Sequence, residues 1–248
     1  MNSISIIIFK TLFLAAAPFA MTSSFNSPME RGATAVSYVT AAVGMPSTAA
    51  EIPSETADAP QDGIYDIMLD SVCGPLTYYN QSDARWGNYL YGGMDPLSTY
   101  GCGPTVMAML ITSFTGNQIL PTEVADWAAS NGSWCPREGS YHRIIMDSAL
   151  AYGLRAAPLK DYTFQGIQNA LNSGYLVVAL MNRGHFTQQG HFIIITKVTE
   201  DGELRLADSN NYDNTKYDWD PSIILQELNH RASNGGPLWM IAPPISSQ

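Results

Sequence analysis

Basic residues are scarce in this sequence. The 248 residues include 12 Lys and Arg against 22 Asp and Glu, which gives a formal net charge of -10 at pH 7. A negative chain is repelled by phosphate backbones and by anionic lipid surfaces. The charge therefore disfavours nucleic acid and membrane surfaces as partners, and it makes an acidic substrate less favourable.

Motifs that hold metals or nucleotides are also missing. The chain has three cysteines, and neither a Cys-x-x-Cys pair nor a His-Glu-x-x-His sequence occurs. Structural zinc is therefore not predicted. No Gly-x-x-x-x-Gly-Lys-Ser/Thr phosphate loop is present, and we expect no cofactor and no metal. The acidic, Asn-rich stretch 208–220 is a weak calcium candidate, but it lacks the EF-hand glycine, and a solvated loop is favoured.

The first part of the chain has the features of a targeting segment. Residues 4–21 are mostly apolar, with Lys10 as their single charge, which predicts a signal peptide or N-terminal targeting segment over 1–25. The apolar run after Lys10 is short for a membrane span, so an uncleaved anchor is the weaker alternative. Residues 26–62 are rich in Ser, Thr, Ala and Pro, which predicts a disordered linker or a pro-segment. We expect an exported protein, secreted or at the cell surface, whose folded domain is 63–248.

Helical patterns come first in this domain, and strand patterns follow. Helices are predicted from Cys102 to Gly116, from Pro121, over 138–152 and over 164–171. Strands are predicted over 175–180, 191–196, 203–207 and 238–241. This order indicates an α+β fold in which the helix that begins at Cys102 packs on an antiparallel sheet.

Cys102 stands on the first turn of an apolar helix. A helix N-terminus carries about +0.5 elementary charge and unpaired N–H groups, so it favours a thiolate over a thiol. Gly101 and Gly103 are expected to leave room for a substrate backbone beside the sulfur. The alternative is a buried structural cysteine, because free cysteine is among the most buried residue types.

An activated cysteine needs an imidazole partner and a group that orients the imidazole. His191 opens a buried strand, whereas polar residues follow His185, so His191 is the stronger candidate. The next predicted strand ends at Asp208, which is placed to orient the imidazole. Asn210 competes for that role, and an ordinary turn residue is the alternative interpretation of Asp208.

Four motifs in order resemble a known family. They are Tyr78 to Trp86 with Gln81 inside it, Gly101-Cys102-Gly103-Pro104-Thr105, Gly190-His191-Phe192, and Asp208. Together they resemble the papain-like cysteine peptidases related to bacteriocin double-glycine leader peptidases, over about residues 76–242. The resemblance implies a papain-like α+β fold, in which the nucleophile helix packs on the sheet that carries His and Asp.

The resemblance also implies a role for each of these residues. Cys102 would be the nucleophile, His191 the general base and acid, and Asp208 the orienting residue. Gln81 would donate a hydrogen bond to the oxyanion together with the backbone N–H of Cys102, an effect of about 3 kcal/mol per donor. If the chain is exported, pairing of Cys73 with Cys135 would leave Cys102 as the free thiol.

The sequence departs from the family in two places. Ser209 and Asn210 follow Asp208 where relatives often carry proline, and the chain has no ATPase motif, so a bacteriocin leader is a poor prediction for the substrate. We expect hydrolysis of peptide bonds through a thioester, with a peptide or protein as partner. The alternatives are a cell-wall peptide or other amide hydrolase or acyltransferase on the same scaffold, and a catalytically silent secreted binding module.

Overall fold

The structure, a computed structural model, describes residues 67–245. Its helices are α1 (Leu97–Tyr100), α2 (Cys102–Thr115), α3 (Pro121–Ser130), α4 (Ile144–Ala151), α5 (Phe164–Asn172) and α6 (Pro221–Gln226). Its strands are β1 (Ile67–Leu69), β2 (Leu76–Tyr78), β3 (Leu90–Tyr91), β4 (Asp95–Pro96), β5 (Trp134–Cys135), β6 (Gly139–Ser140), β7 (Arg155–Pro158), β8 (Leu176–Met181), β9 (His191–Val198), β10 (Leu204–Asp208) and β11 (Leu238–Ala242). A 3-10 helix covers Tyr212–Lys216.

A five-stranded antiparallel sheet forms the centre of this domain. Its strand order is β10-β9-β8-β11-β7, and every neighbouring pair is antiparallel. Three short hairpins, β1-β2, β3-β4 and β5-β6, lie outside this sheet. Because β9 pairs with β10 so that Asp208 lies opposite Ile193, the start of β9 and the end of β10 meet at one edge of the sheet.

Helices cover both faces of the central strands. All six residues of β8 and the first six of β9 are buried, and alternate strand residues point to opposite faces of a sheet. Helices α2 and α5 both contact β9. Helix α2 is buried from Gly103 to Thr112 and ends at Gly116, whose left-handed φ of 72° closes the last turn. The nucleophile helix of the predicted fold is therefore a central core element.

The α+β fold predicted from the sequence is confirmed, with a nucleophile helix packed on an antiparallel sheet. The predicted helix over 138–152 is wrong in its first part. A hairpin of β5 and β6 occupies 134–140, and the helix begins only at Ile144. Strand β7 and helix α6 were not predicted. The predicted segments 1–25 and 26–62 lie outside the described residues.

Within residues 67–245, no helix combines the length and the hydropathy that crossing a membrane requires.

Truncation of a central strand residue tests this arrangement. Ile194 of β9 is completely buried, so Ile194→Ala is expected to lower the free energy of unfolding by about 2–5 kcal/mol through lost burial and the cavity left behind. Ile245 is 82% exposed, and Ile245→Ala is expected to change stability by less than about 0.5 kcal/mol. Urea unfolding at equilibrium measures both. Equal effects of the two variants would contradict the burial of β9 between helices.

Candidate active site

Cys102 is the first residue of α2. The Gly101 carbonyl accepts the N–H of Thr105 at 2.9 Å, which closes the first turn, and the Cys102 side chain is partly buried. A Cβ on Gly103 would lie 2.8 Å from Ser140 Oγ, and one on Gly101 would lie 2.4 Å from the Leu97 carbonyl oxygen. The two glycines therefore make room for the protein's own chain, and the prediction that they make room for a substrate backbone is wrong.

His191 and Asp208 meet at the sheet edge where β9 begins and β10 ends. His191 Nε2 lies 2.6 Å from Asp208 Oδ1. Both side chains are buried, at 5% and 0% exposure, so water does not compete for this hydrogen bond. The bond fixes the plane of the imidazole and leaves Nδ1 unengaged by Asp208, while Cys102 and His191 interact closely enough to shift the pKa of both groups.

The Asp208 carboxylate is surrounded by donors. Besides His191, Oδ1 accepts the backbone N–H groups of Asn210 at 2.9 Å and Asn211 at 3.2 Å, and Oδ2 accepts Asn214 Nδ2 at 2.7 Å. Burial raises the pKa of the Asp208 carboxyl, but the bonds from His191 and Asn214 lower it below its ordinary value. Asp208 is therefore held as a carboxylate, and it is Asp208 rather than the Asn210 side chain that bonds the imidazole.

Electrostatics favour charge separation between Cys102 and His191. Burial raises the pKa of the Cys102 thiol, yet the hydrogen bond and the charge of His191, with backbone N–H groups, bring it below its ordinary value. Burial lowers the pKa of His191, yet the bonds to Asp208 and Cys102 raise it well above its ordinary value. A lowered thiol pKa beside a raised imidazole pKa describes a thiolate and imidazolium pair.

Gln81 lies in the same cavity as Cys102 and His191. Its side chain is buried and fixed at both ends, because Nε2 donates to the Ser98 carbonyl at 3.0 Å and Oε1 accepts from Ser209 Oγ at 3.2 Å. The backbone N–H of Gln81 donates to the Ser209 carbonyl at 2.7 Å. An amide nitrogen carries two protons, and the Ser98 carbonyl takes one of them. This support by Ser98 and Ser209 was not predicted from the sequence.

Two cavities meet at Cys102. The first, of about 500 Å³, which we call the histidine-side cavity, is lined by Gln81, Thr99, Cys102, Asn210 and residues 185–191. The second, of about 480 Å³, which we call the hairpin-side cavity, is lined by Cys102, Arg137, Glu138, Ser140, His142, Leu180, Gln189, Gly190, Phe192 and Asn229. A substrate chain laid across the sulfur has room on both sides.

His185 occupies a different place from that of the base. Its ring and its backbone N–H both bond the Glu227 carboxylate, and it lines the histidine-side cavity.

The three cysteines are free thiols. Cys73 follows β1 and Cys135 ends β5, in separate hairpins, so the predicted Cys73–Cys135 disulfide is not formed. Within residues 67–245, no group of three or more His, Cys, Asp or Glu side chains is placed to hold a metal ion.

A cysteine on a helix N-terminus that faces a strand-borne His and Asp is the arrangement of a papain-like site. The model of the Peptidase_C39 like family matches residues 75–231. The chain therefore belongs to the Peptidase_C39 like family, a membership that suggests cysteine peptidase activity.

Solved structures give a weaker likeness. The crystal structure of a C39-like peptidase candidate from Bacillus anthracis aligns with 59% of this chain and 90% of its own, at 13% sequence identity and a TM-score of 0.44. No match was found among curated proteins.

Asn214 gives a test of the carboxylate environment. Asn214→Ala removes one donor from a buried carboxylate and is expected to lower the free energy of unfolding by about 1–3 kcal/mol. The lowered pKa of Asp208 stabilises the fold above the carboxyl's unfolded pKa, and this contribution disappears as pH falls through the folded pKa. Without Asn214 the folded pKa of Asp208 rises toward its unfolded value, so the pH-dependent part of the stability becomes smaller and is completely lost at a higher pH. Urea unfolding across acidic pH measures both effects. The exposed Asn117→Ala is the matched control, and an identical profile for the two variants would contradict the role of Asn214.

Proposed function

We propose that the chain is a cysteine peptidase that hydrolyses peptide amide bonds through Cys102, His191, Asp208 and Gln81. The observation that carries this proposal is the buried imidazole of His191, whose Nε2 lies 2.6 Å from Asp208 Oδ1, at a cavity that Cys102 also lines. A structural cysteine or a binding module needs neither a buried carboxylate, whose desolvation has a folding cost, nor a thiol with a lowered pKa.

The first step forms a covalent bond between Cys102 Sγ and the substrate carbonyl carbon. The thiolate attacks, the carbonyl π electrons move to oxygen, and the oxyanion accepts the backbone N–H of Cys102 and an N–H of Gln81. The rigid hold of Ser98 and Ser209 on the Gln81 amide supports this role, because donors that are already oriented need no reorganisation as charge develops.

The second step breaks the carbon–nitrogen bond. The imidazolium of His191 gives its proton to the leaving amine, and the oxyanion collapses to a thioester. Since the amine takes this proton from His191, we assign the leaving group to the histidine-side cavity, of which His191 is a lining residue. The acyl part then occupies the hairpin-side cavity, which includes Cys102 but not His191.

Hydrolysis of the thioester restores the enzyme. His191, now neutral, accepts a proton from water as the water oxygen attacks the acyl carbon, and the thiolate leaves with its electron pair. Asp208 keeps its charge and stabilises the imidazolium that forms again. Its hydrogen bonds from Asn210, Asn211 and Asn214 hold it in place for this task.

We also propose that the protein is an exported relative of the double-glycine leader peptidases. The targeting features over 1–25 and the linker or pro-segment composition of 26–62 support export of a peptidase domain over 63–248. A peptide or protein is the expected substrate. N-terminal sequencing of the protein recovered outside the cell tests this proposal, and recovery only inside the cell with an intact Met1 would contradict it.

Selective alkylation tests the thiolate. Iodoacetamide is expected to label Cys102 well below the ordinary thiol pKa of 9.0, because the pKa of Cys102 is lowered, and to label Cys73 far more slowly, because burial raises the pKa of that thiol. His191→Ala should slow labelling of Cys102 and leave Cys73 unchanged. Peptide mapping of the adducts by mass spectrometry gives both rates.

Peptide turnover should have a bell-shaped dependence on pH. It rises as pH passes the lowered pKa of Cys102, and it falls when His191, whose pKa is raised above 6.5, loses its proton. Iodoacetamide labelling of Cys102 should persist at pH values above the pKa of His191, because Cys102 remains a thiolate there. Labelling of Cys102 only at high pH, with no effect of His191→Ala, would refute the ion pair and with it the proposed mechanism.

Gln81→Ala separates oxyanion stabilisation from thiol activation. Loss of one oxyanion donor is expected to lower kcat by about 10²–10³-fold. The rate of Cys102 alkylation should stay within about twofold, since no oxyanion forms in that reaction. A parallel fall of turnover and alkylation would instead assign Gln81 a purely structural role. The exposed Gln118→Ala is the matched control for both measurements.

A further inference from the structure

Arg137 has an unusual backbone for its residue type. It lies in the turn between β5 and β6, where the N–H of Glu138 donates to the Cys135 carbonyl at 3.0 Å, and its φ is 62°. A positive φ at the third residue of a turn, after proline, belongs to the type II class, which normally takes Gly or Asn at this place. An arginine here carries backbone strain that a glycine would avoid.

The turn is held in this conformation by a buried carboxylate. Asp95 Oδ2 accepts the backbone N–H of Arg137 at 2.7 Å and the indole N–H of Trp134 at 2.9 Å, and Asp95 is 2% exposed. Tyr91 Oη lies 3.0 Å from Ser140 Oγ on the second strand of the hairpin. These hydrogen bonds involve the backbone of Arg137 but not its side chain. A glycine at this position would form the same hairpin without the backbone strain.

The Arg137 side chain is left without an internal partner. Among the described residues, the arginines at 85, 143 and 205 form ion pairs with aspartates, whereas no hydrogen bond or ion pair of the Arg137 guanidinium exists within residues 67–245. The residue is exposed and lines the hairpin-side cavity together with Cys102. A strained cation at a cavity wall, free of internal contacts, is available for a ligand.

Arg137 is the positively charged residue in the lining of the hairpin-side cavity. Burial lowers the pKa of His142, whose Nδ1 accepts the Ser233 N–H at 3.0 Å, so this imidazole is neutral near pH 7. The negative groups of this cavity are the Cys102 thiolate and Glu138, and the Oε2 atom of Glu138 lies 3.8 Å from the Cys135 thiol. Glu138 does not form an ion pair with its neighbour Arg137, so the guanidinium keeps its donors free.

We propose that Arg137 binds a carboxylate in the acyl part of the substrate, so that the enzyme prefers an acidic residue on the N-terminal side of the scissile bond. This inference rests on the proposed peptidase function and on the assignment of the acyl part to the hairpin-side cavity. Guanidinium groups bind carboxylates through paired N–H donors. The chain's net charge of -10 opposes acidic peptides at long range, but salt screens that repulsion beyond about 10 Å, and the contact itself is short.

Glycine at position 137 is the informative substitution. Arg137→Gly removes the guanidinium and suits a φ of 62°, so the variant is expected to fold with a thermal midpoint equal to or above that of the wild type. Lys160→Gln is the matched control, because it removes one exposed positive charge from a residue that lines neither cavity at Cys102. Arg137→Glu reverses the local charge.

The measurement is kcat/KM for peptides that carry Glu, Gln or Lys in turn at each position before the scissile bond. For wild type and Lys160→Gln, kcat/KM is expected to be about tenfold higher for one Glu peptide than for its Gln counterpart. This ratio corresponds to the contribution of one charge-assisted hydrogen bond. Arg137→Gly should lose this preference, and Arg137→Glu should favour Lys. An unchanged preference in Arg137→Gly, or no acidic preference in the wild type, overturns the inference and leaves the peptidase function standing.

Binding separates failure of this inference from failure of the proposed function. If the wild type cleaves none of the peptides, the proposed function fails, and affinities for the same peptides are measured on Cys102→Ser with and without Arg137→Gly. Tighter binding of a Glu peptide that depends on Arg137 still supports a carboxylate site. Equal affinities for the Glu and Gln peptides overturn it.

Discussion

The antiparallel pairing of β9 with β10 is the constraint on which the site depends. It brings the first residue of one strand, His191, beside the last residue of the other, Asp208, although 17 positions separate them in the chain. The first six residues of β9 are buried on both faces, so a shift of its register by one residue would exchange the two faces and break the packing of each. The imidazole is consequently held by the same packing that stabilises the core, while α2 delivers Cys102 from the opposite layer.

The buried Asp208 carboxylate is tolerated because of what lies around it. A lone carboxylate at 0% exposure would be protonated or would destabilise the fold. Two backbone N–H groups, the Asn214 amide and the imidazole supply its hydrogen bonds, and Tyr78 Oη donates to its backbone carbonyl at 2.8 Å. The turn after β10 is therefore part of the site, and its polar residues are more than a solvated loop.

The sequence was sufficient for the elements with strong periodic patterns and insufficient for contacts between distant loops. Buried runs made β8, β9 and β11 evident, and Gly116 marked the end of α2. The hairpin over 134–140 was missed because its strands are two residues long and its turn carries arginine where glycine is usual. Asn214 was missed because it stands in a polar stretch without periodicity. Its role depends on how the chain folds back after Asp208, which local pattern does not encode.

The contact of Gly103 with Ser140 links the nucleophile to the wall of the hairpin-side cavity. A Cβ on Gly103 would lie 2.8 Å from Ser140 Oγ and 3.1 Å from Ser140 Cβ, so glycine at this position lets the β5-β6 hairpin pack closely against the first turn of α2. The turn residues 136–138 are exposed, and Asp95 anchors this turn through the backbone N–H of Arg137 and not through its side chain. The side chains of this turn and the catalytic residues are therefore held by different contacts. A substitution in the turn alters which peptides the cleft binds and leaves Cys102 and His191 in place.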